Sequence, residues 1–317
     1  MAGSEVTVVI KARDEASKKL DAITKASLGL SAGFAAVGVA SIKAAADFEH
    51  GLSQVKAVSG ATEIEMKALR AEALAIGKDT KFGAGEATKA MHELAAGGIE
   101  AKDILGGAAR AAADLAAAGG TDLAQAANTI ATSMSVWKLE TSQTTDVVNR
   151  LAGAANVSRF GVEDMSLAIA QGGGVAASAG VDFADFSTTI AATASSFSSG
   201  SDAGTSFKTF LIALANPTGK AKDAMQELGL AFYDAQGQLK PMSEIVQELH
   251  DKLGPLSEQQ RAQAAATIFG NDAMRTAVGL AQMTGAEFEA MSASMGSTSA
   301  AEVAKTRMDN LNGSLEE

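Results

Sequence analysis

Residues 29–33, Gly-Leu-Ser-Ala-Gly, match the G-x-S-x-G spacing of a hydrolase nucleophile elbow. In that motif the serine stands on a sharp turn between a strand and a helix, which exposes its hydroxyl above an oxyanion hole. Here both flanks are apolar and predicted to be helical, and no parallel sheet is predicted beside them. We therefore interpret the segment as small residues in a packed helix, and not as a nucleophile.

His92 and Glu93 begin like the zinc-binding pattern H-E-x-x-H, but alanine occupies the position of the second histidine. The other histidines, His50 and His250, are predicted in separate helices. One imidazole cannot build a zinc site with three protein ligands. We interpret all three histidines as surface or capping residues, and the sequence predicts no metal site.

Two further segments imitate ligand-binding loops. Residues 172–177 (GGGVAA) loosely fit the dinucleotide fingerprint, but they follow a predicted helix and no βαβ pattern surrounds them. Residues 234–237 (DAQG) resemble part of a calcium loop without its bidentate glutamate. We interpret the first as a helix interruption and the second as a turn. No catalytic, cofactor-binding or metal-binding residue is therefore predicted, and we do not expect an enzyme.

The elements that carry these segments repeat along the chain. A hydroxyl, a cation, a phenylalanine and a glycine occur in order at residues 80–83 and again at 158–161, and further glycine breaks follow each set. Alanine-rich stretches between the breaks predict helices. We predict two similar helical units, 80–139 and 158–214, within a central region 80–219. A duplicated unit indicates a structural role, because an active site is a single convergence of groups.

The flanking regions complete the predicted fold. Residues 1–79 are expected to hold one short strand over 5–12, a helix and an apolar helix, because the β-branched stretch EVTVVIKA gives way to helical patterns. Residues 220–317 are expected to hold a small β-hairpin near 230–240 and amphipathic helices, and to continue beyond the chain end. The predicted fold class is all-α, predominantly glycine-punctuated helical hairpins, with that strand and that hairpin added.

Helix starts are predicted at pairs in which Ser or Thr precedes Glu or Gln by three residues. In such a capping box each side chain accepts a hydrogen bond from the other residue's backbone N–H. Four pairs have this spacing: Thr62 with Glu65, Ser257 with Gln260, Thr284 with Glu287, and Ser299 with Glu302. We also expect helices to stop at Gly77 and at Gly270.

Composition limits the classes of function. A net charge of -11 and a pI near 4.9 argue against nucleic-acid binding through bulk charge. The absence of cysteine excludes disulfides and thiolate metal sites and fits a reducing compartment. Aromatic residues make up only 4%, so we expect a modest core and stability from oligomerisation or partner contact.

The longest apolar run covers residues 28–42 (LGLSAGFAAVGVASI). It is shorter than the roughly 20 residues that a helix needs to cross a bilayer. We interpret it as a buried or self-associating helix, and a membrane-active helix remains the alternative. The candidate membrane- or partner-contacting residues are Leu28, Leu30, Phe34, Val37, Val39 and Ile42.

Several motifs, taken in order, resemble the N-terminal core region of bacteriophage tail tape measure proteins. The opening matches at residues 20–23 (LDAI) and 46–49 (ADFE), on either side of the apolar run. The later matches are residues 159–164 (RFGVED), 228–239 (LGLAFYDAQGQL) and 268–273 (IFGNDA). Each motif alone is weak, whereas their order and spacing are specific, and the resemblance covers nearly the whole chain.

The resemblance implies a structural protein of the virion tail, assembled in the host cytoplasm and held in the lumen of the tail tube. Such proteins help to set tail length and are expelled for DNA delivery. The implied partners are the tail tube protein, tail tip proteins, tail assembly chaperones, further copies of the chain and, transiently, the host inner membrane. The alternative from the residues alone is a membrane-active helical protein, such as a pore-forming toxin or a chaperoned effector.

Overall fold

The computed structural model describes the backbone of residues 32–313 and the side chains of residues 43–308. The chain divides into a first unit, residues 1–53, and a second unit, residues 54–317. The described part of the first unit belongs to helix α1 (Ala32–Ser59), which continues into the second unit. The strand predicted over residues 5–12 lies outside the described residues.

The described residues are all-α, as predicted. The helices after α1 are α2 (Glu63–Asp79), α3 (Ala84–Ala96), α4 (Ala109–Gly119), α5 (Leu123–Trp137), α6 (Thr144–Val157), α7 (Val162–Ala168), α8 (Gly174–Ser178), α9 (Phe183–Thr193), α10 (Gly200–Ala215), α11 (Gly219–Leu228), α12 (Met242–Leu253), α13 (Glu258–Leu280), α14 (Gly285–Ser297) and α15 (Ala300–Gly313). Two π-helical segments, Ile104–Ala108 and Ile169–Gly173, lead into α4 and join α7 to α8.

Helix α4 is buried on almost every side. Seven of its eleven residues are buried, six of them alanines around Leu115. It packs against α5, α6 and α15, so residues near the end of the chain cover a helix that lies about 190 positions earlier. Its apolar surface belongs to the core, where the short alanine side chains let its neighbours approach closely, while Arg110 pairs with Glu72 and Asp79 at the edge.

Seven aromatic side chains form a connected cluster in the second unit. They come from α5, α9, α10, α13 and the segment before α12, with ring centroids 5.0–6.2 Å apart: Trp137, Phe183, Phe186, Phe207, Phe210, Phe269 and Phe232. Aromatic contacts at these distances add to the burial of the rings themselves. Half of the chain's 14 aromatic residues, seven, therefore belong to one connected part of the core.

The small β-hairpin predicted near 230–240 is wrong. One antiparallel bridge joins Tyr233 and Leu239, and no strand occurs in residues 32–313. The Asp234 carboxylate accepts hydrogen bonds from the backbone N–H groups of Gln236 and Gln238, which closes a tight turn. The ladder cannot extend beyond this turn, because Pro241 has no N–H to donate and α12 begins at the next residue.

Helix α13 bends at Gly270, where we expected it to stop. Gly270 has φ 81° and ψ 169°, and helical structure resumes directly after it. This backbone conformation is essentially restricted to glycine. The first helical segment of α13 therefore ends at Gly270, as expected, and a second segment follows across the kink. Gly77, in contrast, is not a stop, since α2 runs on to Asp79.

The helix starts predicted from capping boxes agree with the structure. The capping boxes at Thr62, Ser257 and Thr284 are confirmed, with both reciprocal hydrogen bonds present in each. At the fourth pair, the Glu302 backbone N–H donates to the Ser299 hydroxyl at 3.2 Å. These starts fix where α2, α13, α14 and α15 begin.

Candidate functional site

The predicted membrane- or partner-contacting residues lie at the edge of the described range. Leu28 and Leu30 are outside it, whereas Phe34, Val37, Val39 and Ile42 belong to the backbone of α1 and their side chains are not described. Among the described residues, no helix combines the length and the apolar character that a membrane span requires. A contact through this run stays a prediction.

The three histidines belong to three different helices. His50, His92 and His250 lie on α1, α3 and α12. His92 Nδ1 is 3.3 Å from Glu93 Oε1, and His250 Nδ1 is 3.1 Å from the carbonyl oxygen of Ala281. Within the described residues, no three His, Asp or Glu side chains are arranged to hold a metal ion. The serine of the G-x-S-x-G segment, Ser31, is outside the described residues.

Two glycines of the run at 172–174 serve close packing. Gly172 and Gly173 lie in the second π-helical segment, so the predicted interruption takes the form of a change from α- to π-helical hydrogen bonding between α7 and α8. A Cβ at Gly172 would lie 2.6 Å from the carbonyl oxygen of Gly204 in α10, and one at Gly173 would lie 3.0 Å from the Trp137 ring. Both distances are too short for a side chain, so the missing side chains let α10 and Trp137 approach.

A half-buried carboxylate joins α9 to α12. Asp185 accepts a hydrogen bond from the Met242 backbone N–H at 3.1 Å, beside a cavity of about 430 Å³. Burial raises the pKa of the Asp185 carboxyl. The Met242 N–H and Arg150 oppose that rise, whereas the charges of Asp182 and Glu289 add to it. The group holds two helices together, and no nucleophile or metal ligand set accompanies it among the described residues.

The duplicated sequence motifs form the same hydrogen bonds. The Thr80 hydroxyl donates to the carbonyl of Ile76 at 2.8 Å and accepts from the N–H of Phe82 at 3.2 Å. The Ser158 hydroxyl makes the corresponding contacts, to Ala154 at 2.8 Å and from Phe160 at 3.1 Å. Both phenylalanines are buried. Each motif therefore ends one helix and anchors the start of the next in the same way.

The next break is repeated as well. Gly98 and Gly180 have φ values of 93° and 88°. The N–H of Ile99 then donates to Leu94 at 3.0 Å, and that of Val181 to Ala176 at the same distance. This is the Schellman pattern of a helix C-terminus, with an apolar residue after the glycine. The recurring geometry belongs to helix junctions, and the division into units 80–139 and 158–214 stays a prediction.

The family model of phage-related minor tail proteins matches residues 70–270, more than half of the chain. The chain belongs to this family. The matched range includes both duplicated junctions, the aromatic cluster and the bend at Gly270. The junctions, the aromatic cluster and the kink therefore all lie within the region that the family model describes.

Two curated relatives are similar along most of the chain. The tape measure protein of Pneumococcus phage Dp-1 is 31% identical over 287 residues, which cover 90% of this chain and 25% of that relative. The probable tape measure protein of Escherichia phage P2 is 29% identical over 319 residues, covering 96% of this chain and 38% of the relative. The chain thus spans less than two fifths of either relative. No solved structure matches it.

Sequence reasoning missed the contacts that join distant elements. Arg150 on α6 donates to the backbone carbonyl and hydroxyl of Ser292 on α14 at 3.2 and 3.3 Å, and it pairs with Asp146 at 2.9 Å. A lone arginine on an amphipathic helix gives no signal of its partner 142 residues away. The apolar residues of α6 and α14 indicate that each helix packs against something, but they do not indicate that the two helices contact each other.

Proposed function

We propose that this chain is a folded part of a tail tape measure protein, a structural component that occupies the lumen of the tail tube, helps to set tail length and is expelled for DNA delivery. The observation that carries the proposal is the similarity to two tape measure relatives along 90% and 96% of the chain. Because the chain covers only part of either relative, this role is proposed for the longer protein to which such a segment contributes.

The character of the molecule supports a structural role. Its described residues are mainly helices, and two of the junctions between them repeat the same hydrogen bonds. A net charge of -11 repels the phosphates of DNA, which suits a protein that shares a passage with DNA without binding it. The expected partners are the tail tube protein, tail tip proteins, tail assembly chaperones and further copies of the chain.

The apolar run at residues 28–42 is proposed to make a partner or inner-membrane contact. A liposome leakage assay with the purified chain and its Phe34→Asp variant tests which one applies. A partner-contacting helix leaves the vesicles intact with both proteins. Leakage by the unchanged chain that Phe34→Asp abolishes would favour membrane activity.

Protease protection in particles tests the lumen location. Purified particles of the phage that encodes this chain are treated with protease before and after triggered ejection, and peptides of the chain are quantified by mass spectrometry. We expect the chain to be present and protected before ejection, and released or cleaved afterwards. Absence of its peptides, or cleavage in intact particles, would contradict the proposal.

A further inference from the structure

Helix α11 is fixed at both ends but covered on only one side. The Thr218 hydroxyl accepts from the N–H of Ala221 at 3.2 Å, and the N–H of Leu230 donates to Met225 at 2.9 Å. Ala221 is the one buried side chain of this helix, whereas Ala224, Met225 and Leu228 are half-buried. Ten residues are fewer than the roughly 12–15 that an isolated helix needs. The open side is therefore a place where further contact would add stability.

That open side forms one wall of a groove. The groove has a volume of about 480 Å³ and separates α11 from the first half of α13; we name it the α11 groove. The α11 wall consists of Lys220, Asp223, Ala224, Glu227 and Leu228, a helical spacing of three and four residues. The α13 wall is uncharged, and Ala265 is the only buried residue between positions 258 and 267.

The charges along the groove are self-complementary. Lys220 lies at one end of α11 and Glu227 at the other, and neither they nor Asp223 form an ion pair within the described part of the chain. A two-fold axis perpendicular to α11 places a second copy of that helix antiparallel to the first. Positions 220 and 227 lie equally far from the midpoint between 223 and 224. Each lysine would then face the partner's glutamate, and each Asp223 would face an alanine.

We propose that the α11 groove receives α11 from a second copy of this chain, in antiparallel orientation. The two copies of α11 and of the first half of α13 then form a four-helix contact, in which Ala224 lets the central helices approach and Leu228 is covered. This inference deepens the self-association included in the proposed function and rests on that part of it. The contact requires only the folded chain.

Charge reversal tests the pairing. Dissociation constants of the purified 317-residue chain are measured by analytical ultracentrifugation. Lys220→Glu and Glu227→Lys should each weaken the dimer by about tenfold or more, because two opposite pairs become two like pairs. A mixture of the two variants should associate about as tightly as the unchanged chain, since every reversed charge then meets its opposite. Association should also weaken as salt is raised.

Lys222→Glu is the matched control, because Lys222 is exposed on the same helix but does not line the groove. It should leave the dissociation constant within about twofold of that of the unchanged chain. Circular dichroism of all variants establishes that they fold. A chain that stays monomeric, a mixture that fails to regain affinity, or an equal loss with Lys222→Glu would overturn the inference. Protease protection in particles does not depend on this contact, so the two proposals fail separately.

Discussion

Lys138 holds a backbone conformation that suits glycine. Its φ and ψ are 53° and 43°, and it is the only non-glycine residue with positive φ among residues that the structure describes. The left-handed region costs an L-residue about 1–2 kcal/mol. The side chain is exposed at the C-terminus of α5, where the helix dipole favours a cation.

We predict that Lys138→Gly raises the free energy of unfolding by about 0.5–1 kcal/mol, because the strain exceeds the entropy that glycine adds to the unfolded chain. Lys67→Gly, on an exposed helical position of α2, should lower it by about 1 kcal/mol. Urea unfolding of both variants provides the comparison. Equal losses of stability in the two variants would show that the conformation at Lys138 is unstrained.

Asp185 gives stability a dependence on pH. Because burial raises its pKa, the folded state holds the carboxyl proton more tightly than the unfolded chain does. The stabilising contribution of that proton is complete below the unfolded pKa, and it is lost as pH rises through the raised value. At neutral pH the charged carboxylate therefore opposes folding, and Arg150 and the Met242 N–H offset part of this cost.

We predict that Asp185→Asn raises the free energy of unfolding at pH 7, since the amide is uncharged and its oxygen can still accept from Met242. The gain should shrink as the pH falls toward about 4, the unfolded pKa of aspartate. Urea unfolding between pH 4 and pH 8 measures the trend, with Asp272→Asn, an exposed carboxylate, as the control. A gain that grows toward acid pH would contradict the sign of the shift.

Residues that act on their own helix could be predicted from sequence, and residues that act across the fold could not. The Thr62 capping box needs only the next three positions, so its spacing sufficed. The contact between Asp185 and Met242 joins positions 57 apart, and nothing near either residue indicates the other. The rejection of His92 as a ligand likewise depended on sequence spacing alone.

Among the helices, α10 packs so closely against α7 and α8 that only glycine fits at the contact. A Cβ on Gly204 would stand 2.5 Å from the carbonyl oxygen of Ala168, whereas one on Gly174 would meet no atom within 4 Å. Both glycines lie within helices. Comparing alanine substitutions at these two positions therefore distinguishes the cost of a steric clash between helices from the general effect of glycine on helix stability.

We predict that Gly204→Ala lowers the free energy of unfolding by about 1–3 kcal/mol, because the added methyl group must push the two helices apart. Gly174→Ala should be neutral or raise it by about 0.4–1 kcal/mol, since alanine restricts the unfolded chain. Thermal and urea unfolding give both values. A Gly204→Ala variant as stable as Gly174→Ala would mean that the helices do not approach at this distance.

Glycine patterns predicted helix breaks correctly where the glycine caps the C-terminus of a helix, as at Gly98 and Gly180. At Gly270 and Gly172 the glycines indicated a break but not its form, which is a kink between two helical segments at Gly270 and a π-helical turn at Gly172. The β-hairpin failed for a different reason. Its turn was recognised, but the cap after α11 and Pro241 leave too little chain for two strands.

At the scale of the whole molecule, the aromatic cluster connects elements that the sequence places far apart. Phe207 lies between Phe186 and Phe210, and all three rings are fully buried. A low aromatic content predicted a modest core, because composition reports an average and not a location. The packing of α15 on α4 was also beyond prediction, since neither helix carries a signal for the other.

We predict that Phe207→Ala lowers the free energy of unfolding by about 3–5 kcal/mol, since it leaves a cavity in the middle of the cluster. Phe207→Leu should cost about half as much or less, because most of the space stays filled. Denaturant unfolding monitored by Trp137 fluorescence follows the cluster directly. Similar small losses for both variants would contradict a continuous aromatic core.

If this chain is a folded part of a tail tape measure protein, tail length depends on it directly. In the phage that encodes the chain, the codons for residues 54–317 are deleted in frame, and tail lengths are measured by electron microscopy of the particles. We expect that tails of normal length are no longer made. Tails of unchanged length in the deletion mutant would contradict this expectation.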